Sequence, residues 1–212
     1  MIRVLLATAN QHKVREISEL LAGLPLDIRT LSDYPDLPPL SEDGNSYEEN
    51  SRKKALCVLD ATSVLTLADD SGLEVDALDG APGIFSARFG GENLSFAEKN
   101  RMILSLLKEI PENKRTARFI CTATLAFPGG RIETFSGICE GVIAHEPSGE
   151  HGFGYDPIFF LPEFGKTMAE LSSEEKNRIS HRARAFQKVR SCLQDCLRRP
   201  FEPATEAPIR DL

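Results

Sequence analysis

The chain lacks the features that mark several classes of protein. Its 212 residues include no tryptophan and carry a formal net charge of −7, so the broad basic surface of a sequence-independent nucleic-acid binder is missing. Its five cysteines are odd in number and form no CxxC pair, which predicts reduced thiols in a cytoplasmic protein. No apolar run is long enough for a bilayer, and the N-terminal run is too short for a signal peptide. We therefore expect neither membrane association nor stable nucleic-acid binding.

Apolar periodicity indicates both strands and helices along the chain. The predicted strands cover residues 2–7, 26–30, 64–68, 119–127, 132–138 and 158–161. The predicted helices follow the first strand, cover about 46–60, begin after Ser95, and run as one last helix through Ile179 to Leu197. This order predicts an α/β fold, a mixed sheet flanked by helices, in which a long hairpin extends into a second lobe.

The same pattern sets the expected domain organisation. Residues 1–198 are predicted to form a single domain with two lobes, and clefts between lobes are common ligand sites. Residues 199–212 contain three prolines and are predicted to be a loose C-terminal tail.

Two adjacent acids, Asp69 and Asp70, follow the apolar run at 64–67. Neighbouring strand residues point to opposite sides, so both acids face one site only if the chain turns, and Ser71-Gly72 predicts such a turn. Carboxylates at a strand end suit Mg²⁺, with Glu42 or Asp43 as the second ligand. Taken alone, the motif favours the alternative, in which Asp70 only caps a turn.

A polar stretch, residues 8–13, lies between the first strand and the following helix. Thr8 and Asn10 offer short polar groups, Lys13 adds a cation, and the free N–H groups of a helix N-terminus favour anions. The stretch is not a Walker P-loop, because GxxxxGK[ST] is absent. The alternative, equally open, is that Asn10 merely caps the helix and Lys13 is solvated.

The segment GFGYDP, residues 152–157, combines glycines with aromatic side chains. Glycines let a backbone approach a ligand closely, and Phe153 and Tyr155 can stack on a planar base. Asp156 either holds the loop or accepts a hydrogen bond from a ligand. In the alternative, this is a glycine-rich connection whose aromatic side chains complete the core.

Two further clusters are basic. In EKNRISHR, residues 175–182, cations stand near a helix start, where the helix dipole disfavours them, and this indicates a nearby anion. Residues 50–55, which include Lys54, form the other cluster. For both clusters the alternative is a solvated helix face, the usual location of charge runs.

These motifs occur in one order: TxNxxK, EN-x3-KA, ADDSGLEVDAL-x-G-x-PGIFSARF, GFGYDPIF and AEL-x3-EKNRISHR. In that order they closely resemble the inosine triphosphate pyrophosphatase family, also called XTP/dITP diphosphatases. The resemblance extends from the first strand to the last helix, and the long match across residues 68–89 carries most of its weight. It implies an elongated α/β body with the active site in a cleft between two lobes, usually as a homodimer.

The resemblance also implies a reaction and roles for individual residues. The reaction is Mg²⁺-dependent hydrolysis of ITP, dITP or XTP to the monophosphate and pyrophosphate. Asp70 matches the general base, assisted by Asp69, and Glu42 and Asp70 match the Mg²⁺ ligands. The substrate-binding positions implied are Thr8, Ala9, Asn10, Gln11, His12, Lys13, Lys54, Ser71, Phe153, Gly154, Tyr155, Asp156, Lys176, His181 and Arg182. The family often carries two acids before the loop motif, whereas here Ser41 precedes Glu42.

Two other functions remain open at this stage. A non-catalytic nucleotide sensor would use the same cradle without turnover, and a phosphate-releasing NTPase would cleave a different bond. Retention of both adjacent acids favours catalysis, and the identity of the released phosphate separates the two enzymatic reactions.

Overall fold

The computed structural model describes residues 1–198, and the predicted tail, 199–212, lies outside the described residues. Seven strands and five helices make up the described chain. The strands are β1 (Ile2–Leu6), β2 (Leu26–Thr30), β3 (Thr66–Val75), β4 (Thr116–Ala126), β5 (Ile132–Ile143), β6 (Phe159–Leu161) and β7 (Lys166–Thr167). The helices are α1 (Gln11–Leu20), α2 (Tyr47–Thr62), α3 (Phe96–Leu106), α4 (Ser173–Ile179) and α5 (His181–Arg198). None of these helices is long and apolar enough to cross a membrane.

The strands form one mixed sheet in the order β2-β1-β3-β4-β5-β6-β7. β1 pairs in parallel with β2 and β3, and the remaining neighbours are antiparallel. The long hairpin predicted from the alternating pattern is β4–β5, whose strands pair from Ala126↔Ile132 to Thr116↔Val142. The predicted α/β fold with a mixed sheet and flanking helices is therefore confirmed.

β3 is the strand on which the sequence-based prediction was wrong. The strand was expected to end at Ala68 and turn at Ser71-Gly72, but it continues to Val75 and pairs with β4 along its whole length. A Cβ at Gly72 would lie 2.4 Å from the carbonyl oxygen of Gly83. Gly72 therefore permits close approach of a neighbouring segment and does not make a turn, and β4 supplies the hydrogen-bond partners.

The apolar core divides along β3. Leu67 and Ala68 belong to the clusters beneath α1, α5 and α2, whereas Leu73 and Val75 belong to a separate cluster beneath α3. The polar stretch 69–71 crosses between these two apolar regions. The sheet thus holds the adjacent acids at the boundary between two parts of the core, where a cleft was expected.

The last predicted helix is divided at Ser180. This residue is extended (φ −64°, ψ 158°), and its hydroxyl accepts a hydrogen bond from the Ala183 N–H of the following helix. The single apolar stripe that predicted one helix continues across the break, since Ile179 and Ala183 are both on the core side. The break places His181 and Arg182 in the first turn of α5.

A substitution at Gly137 tests how tightly α5 is held to β5. A Cβ there would lie 2.2 Å from the carbonyl oxygen of His181 and 2.5 Å from the amide nitrogen of Ala185. Because backbone must move to admit the methyl group, Gly137→Ala should lower the free energy of unfolding by about 1–3 kcal/mol. Chemical denaturation measures this, with the exposed Glu140→Ala in the same strand as control, expected within about 0.5 kcal/mol of wild type. Equal stability of the two variants would show that α5 is not seated as described.

Candidate active site

Asp69 and Asp70 point to opposite faces of β3, so the expectation that a turn brings both acids to one site is wrong. Asp69 Oδ2 lies 3.0 Å from Lys13 Nζ and 3.3 Å from Arg182 Nη2, and it accepts a hydrogen bond of 2.8 Å from Ser71 Oγ. It therefore faces α1 and α5. Asp70 instead faces α2, the helix that carries Asn50 and Lys54.

Two carboxylates meet around one ammonium on the Asp70 side. Lys54 Nζ lies 2.6 Å from Glu42 Oε1 and 3.6 Å from Asp70 Oδ1. Asn50 Nδ2 donates to Asp70 Oδ2 at 2.9 Å. Asp43, the other candidate ligand from the sequence, is exposed and pairs with Lys53 instead. Of the two loop acids, Glu42 is the one that converges with Asp70.

The environments of the adjacent acids separate their pKa values. Burial alone would raise the pKa of Asp69, but Lys13 and Arg182 outweigh it and hold that pKa far below its ordinary value. Burial dominates at Asp70 and raises its pKa, despite the opposing effects of Lys54 and Asn50. Carboxylates whose pKa values are pushed apart typically divide into a permanently ionised group and a group that exchanges protons.

A Mg²⁺ ion fits the Glu42–Asp70 pair in donor chemistry. Within residues 1–198 there is no group of three His, Cys, Asp or Glu side chains that could hold a metal. Mg²⁺ is usually bound by one or two carboxylates, with water and substrate phosphate oxygens completing its shell. Two carboxylates sharing one ammonium are therefore a donor set suited to Mg²⁺.

Residues 8–13 follow the alternative interpretation at Asn10 but not at Lys13. Asn10 does cap α1, since its Oδ1 accepts from the backbone N–H groups of His12 (2.9 Å) and Lys13 (3.3 Å). Lys13 is not solvated, because it pairs with Asp69. A cavity of about 530 Å³, here called the cationic cavity, is lined by residues that include Thr8, Ala9, Asn10, Lys13, Glu42 and Lys54. Gln11 and His12 are exposed on α1 and do not line it.

A second cavity, here called the aromatic cavity, adjoins the first and has a volume of about 100 Å³. Asn10, Lys13 and Glu42 line both cavities. The other predicted site residues that line the aromatic cavity are Asp70, Ser71, Phe153, Gly154, Tyr155, Asp156, Lys176, His181 and Arg182. The structure thus brings together nearly all the predicted residues, and it places Lys176 at this end, away from Lys54.

The aromatic residues of the 152–157 segment have different environments. Tyr155 is buried, and its hydroxyl donates to the Ser86 carbonyl at 2.8 Å, so Tyr155 completes the core as the alternative interpretation proposed. Phe153 is half-buried and stacks on the His12 ring, with 5.1 Å between centroids. Asp156 accepts from Phe153 N–H (2.8 Å) and from Lys176 Nζ (2.6 Å), and it therefore holds the loop.

Glu16 is a site residue that the sequence interpretation missed. Its carboxylate lies 2.7 Å from Lys176 Nζ and 2.6 Å from Arg182 Nη1. The anion expected near the basic helix start is thus supplied by the protein, through Glu16 with Asp69 and Asp156. The signal in the sequence is its position three residues after Lys13, where helical side chains share a face. Arg178 of the same cluster is exposed.

His181 is buried against Phe119, with 4.7 Å between the ring centroids. Burial is the largest cause that lowers its pKa well below 6.5, and the neighbouring cations Arg182 and Lys176 lower it further. Its Nδ1 and the Nε of Arg182 have no hydrogen-bond partner within residues 1–198. Both residues line the aromatic cavity, and within the described chain these two atoms are buried without a partner there.

The buried neutral state of His181 predicts a specific pH dependence of stability. Unfolded His181 binds a proton below about pH 6.5 whereas the folded side chain does not, so its stability contribution is present above 6.5 and lost as the pH falls. Stability measured by urea denaturation from pH 7.5 to 5 should include a slope of up to about 1.4 kcal/mol per pH unit from this group. His181→Gln should remove that part of the slope, and exposed His145→Gln is the matched control. An unchanged slope in His181→Gln would contradict the buried neutral state.

Comparison with known proteins identifies the family of this chain. The model of the Ham1 family matches residues 4–192. The dITP/XTP pyrophosphatase of Geobacter sulfurreducens is 52% identical over 186 residues, which are 88% of this chain and 94% of that protein. The dITP/XTP pyrophosphatase of Desulforamulus reducens is 49% identical, covering 91% of this chain and 96% of its own.

Solved structures give the same result. A HAM1 protein from Coxiella burnetii has a TM-score of 0.84 at 37% identity, covering 92% of this chain and all (100%) of that one. The Staphylococcus aureus Ham1 protein has a TM-score of 0.82 at 36% identity, covering 91% and 98%. The resemblance found in the sequence is confirmed, and the chain belongs to the Ham1 family.

Proposed function

We propose that this protein hydrolyses deaminated purine nucleoside triphosphates, namely ITP, dITP and XTP, to the monophosphate and pyrophosphate with Mg²⁺. The observation that carries the proposal is the arrangement around β3, where Asp70 lines the aromatic cavity and lies 3.6 Å from the ammonium of Lys54, which lines the adjoining cationic cavity. Such a pair of cavities suits a triphosphate at one end and a planar base at the other. The names of the relatives, dITP/XTP pyrophosphatases, support the same substrate class.

The cationic cavity accounts for binding of the triphosphate. A nucleoside triphosphate carries close to four negative charges, which must be neutralised before a nucleophile can approach phosphorus. Lys13 and Lys54 provide cations there, and both are largely buried, so water screens their charge less than at the surface. Mg²⁺ held by Glu42 and Asp70 would supply further charge neutralisation and align the phosphates.

Asp70 is the residue we assign as the general base. Its raised pKa makes it a better proton acceptor than an ordinary aspartate, and Asn50 fixes the orientation of its carboxylate at 2.9 Å. A water molecule beside Asp70 would lose its proton to this carboxylate as its oxygen attacks the α-phosphorus. Asp69 is a poorer proton acceptor, because Lys13 and Arg182 hold its pKa far below its ordinary value, and it faces away from α2.

The aromatic cavity accounts for the choice of base. Hypoxanthine and xanthine carry a 6-oxo group that accepts hydrogen bonds, whereas adenine carries a 6-amino group that donates. The His181 imidazole and the Arg182 guanidinium, which line this cavity, and the N–H groups of Gly154 and Tyr155 would be the donors. When ATP enters, a donor would face a donor, at a cost of about 1–3 kcal/mol for each unpaired group. Phe153 also lines the cavity and would stack on the base.

We also infer that the protein works in the cytoplasm as a homodimer, with residues 1–198 as one two-lobed domain. All five cysteines are free thiols, in keeping with a reducing compartment. The exposed apolar side chains Phe85, Met102 and Leu106 support an association surface on or near α3.

The decisive experiment is a product-resolved panel of nucleotides. ITP, dITP, XTP, ATP and GTP are each incubated with the purified protein, with and without Mg²⁺, and nucleotide and phosphate products are separated by ion-exchange chromatography. We expect IMP and pyrophosphate from ITP, in equal amounts and only with Mg²⁺. Release of IDP and orthophosphate would identify a phosphate-releasing NTPase, and binding of ITP without any turnover would identify a nucleotide sensor.

Asp70→Asn tests the assignment of the base. The variant keeps a side chain of the same shape but loses the basic oxygen, so kcat on dITP should fall by about 10²–10⁴-fold with the thermal midpoint near that of wild type. Asp43→Asn is the matched control, since Asp43 is an exposed acid of the neighbouring loop, and it should leave kcat unchanged within about twofold. Near wild-type kcat in Asp70→Asn would assign proton transfer to another group.

A further inference from the structure

Helix α3 contains two buried polar residues, Lys99 and Asn100, that have no role in the proposed hydrolysis. Lys99 is 3% exposed and Asn100 is 4% exposed. Within residues 1–198 no carboxylate lies in ion-pair range of the Lys99 ammonium, which instead donates to the Ala87 carbonyl at 2.5 Å and lies 5.0 Å from the centre of the Phe96 ring. A buried lysine without a carboxylate partner is rare, because desolvation of its charge is costly. The burial of Lys99 without a carboxylate partner therefore indicates a specific role for this side chain.

Asn100, the next residue, contacts a different segment. Its Nδ2 donates to the Gly154 carbonyl at 3.2 Å. Consecutive side chains of one helix thus hold two loops that are far apart in sequence, one at Ala87 and one at Gly154. Both of these residues line the aromatic cavity, as does Phe96 at the start of the same helix.

The two loops are also tied to one another. Tyr155 donates its hydroxyl to the Ser86 carbonyl at 2.8 Å and packs edge-on against Phe96, with 5.4 Å between the ring centroids. The Ser86 hydroxyl accepts from Leu73 N–H at 2.9 Å, which anchors this segment on β3. Lys99 and Asn100 therefore complete a frame around the side of the aromatic cavity opposite α5.

The frame extends to the cationic cavity. Ala87 lines both cavities, and the adjacent Arg88 donates from Nη2 to the Glu42 carbonyl at 2.8 Å. Lys99 thus holds the backbone one residue away from the contact that supports the loop of Glu42.

We propose that Lys99 and Asn100 are positioning residues that set the width of the aromatic cavity and thereby the selectivity for the base. This inference rests on the proposed hydrolysis of deaminated purine nucleotides. Neither residue touches the reacting phosphates. If the hydrogen bond to the Ala87 or the Gly154 carbonyl is lost, that segment moves away from the bound base. The contacts to the base are then weakened equally in the ground state and the transition state. Such a change raises KM and leaves kcat nearly unchanged.

The test is Lys99→Met, which keeps an unbranched side chain but removes the donor. KM for ITP should rise at least about tenfold, with kcat within about twofold of wild type, because a hydrogen bond from a charged group is lost. The ratio of kcat/KM for ITP over ATP should fall. A purely structural role predicts the opposite pattern: a lower thermal midpoint, with kcat reduced equally for all nucleotides by loss of folded enzyme and KM unchanged.

Asn100→Ala is the second variant and keeps the proposal testable if Lys99→Met does not fold. It should raise KM for ITP in the same direction through the Gly154 wall. Arg101→Met is the matched control, because exposed Arg101 donates to the Ala97 carbonyl of its own helix, at 3.4 Å, and its kinetics should equal wild type. Wild-type KM and wild-type ITP/ATP ratios in folded Lys99→Met or Asn100→Ala would overturn the inference. Wild-type enzyme that releases no pyrophosphate from ITP would instead overturn the proposed function, and the panel above detects this separately.

Discussion

The buried ion network at Asp69 is the contact on which the rest of the site depends. Asp69 on β3 binds Lys13 of α1 and Arg182 of α5, and Glu16 of α1 binds Arg182 a second time. Three elements that are distant in sequence are thereby fixed to one another without water between them. Removal of one partner from a buried ion pair leaves an uncompensated charge and typically costs about 3–5 kcal/mol. The network therefore sets the positions of α1 and α5 relative to β3.

The pleat of β3 explains how two adjacent acids take different roles. Because successive side chains leave a strand on opposite faces, Asp69 enters the cation network while Asp70 meets Asn50 and Lys54 of α2. Asp69 is held in the ion network, and its neighbour Asp70 keeps a raised pKa beside the aromatic cavity. The opposite pKa shifts of the two side chains follow from the different neighbours on the two faces of the strand.

The sequence predicts the elements that local periodicity determines. It does not predict the features that depend on pairing between residues far apart in the chain. The β4–β5 hairpin and the capping of α1 by Asn10 are visible in the sequence because the relevant residues are near neighbours. The continuation of β3 through Ser71-Gly72 is not visible, because it depends on pairing with Cys121 and Ile120, about fifty residues later. The division at Ser180 is hidden for a related reason, since the apolar stripe continues across it. Motif resemblance recovers most cavity residues but not Glu16, which acts through other side chains.

The two sides of the cleft are built by different means. The side formed by α1, α2 and α5 is electrostatic, with buried cations and carboxylates whose charges compensate one another. The opposite side, formed by the 83–88 segment, α3 and the 153–156 loop, is held by hydrogen bonds to backbone carbonyls, by ring contacts and by the Asp156–Lys176 ion pair. Under the proposed function, changes in the second side would alter the shape offered to a base more than the charges around the phosphates. Ala87, which lines both cavities, and Arg88, which supports the Glu42 loop, are the places where the two properties become coupled.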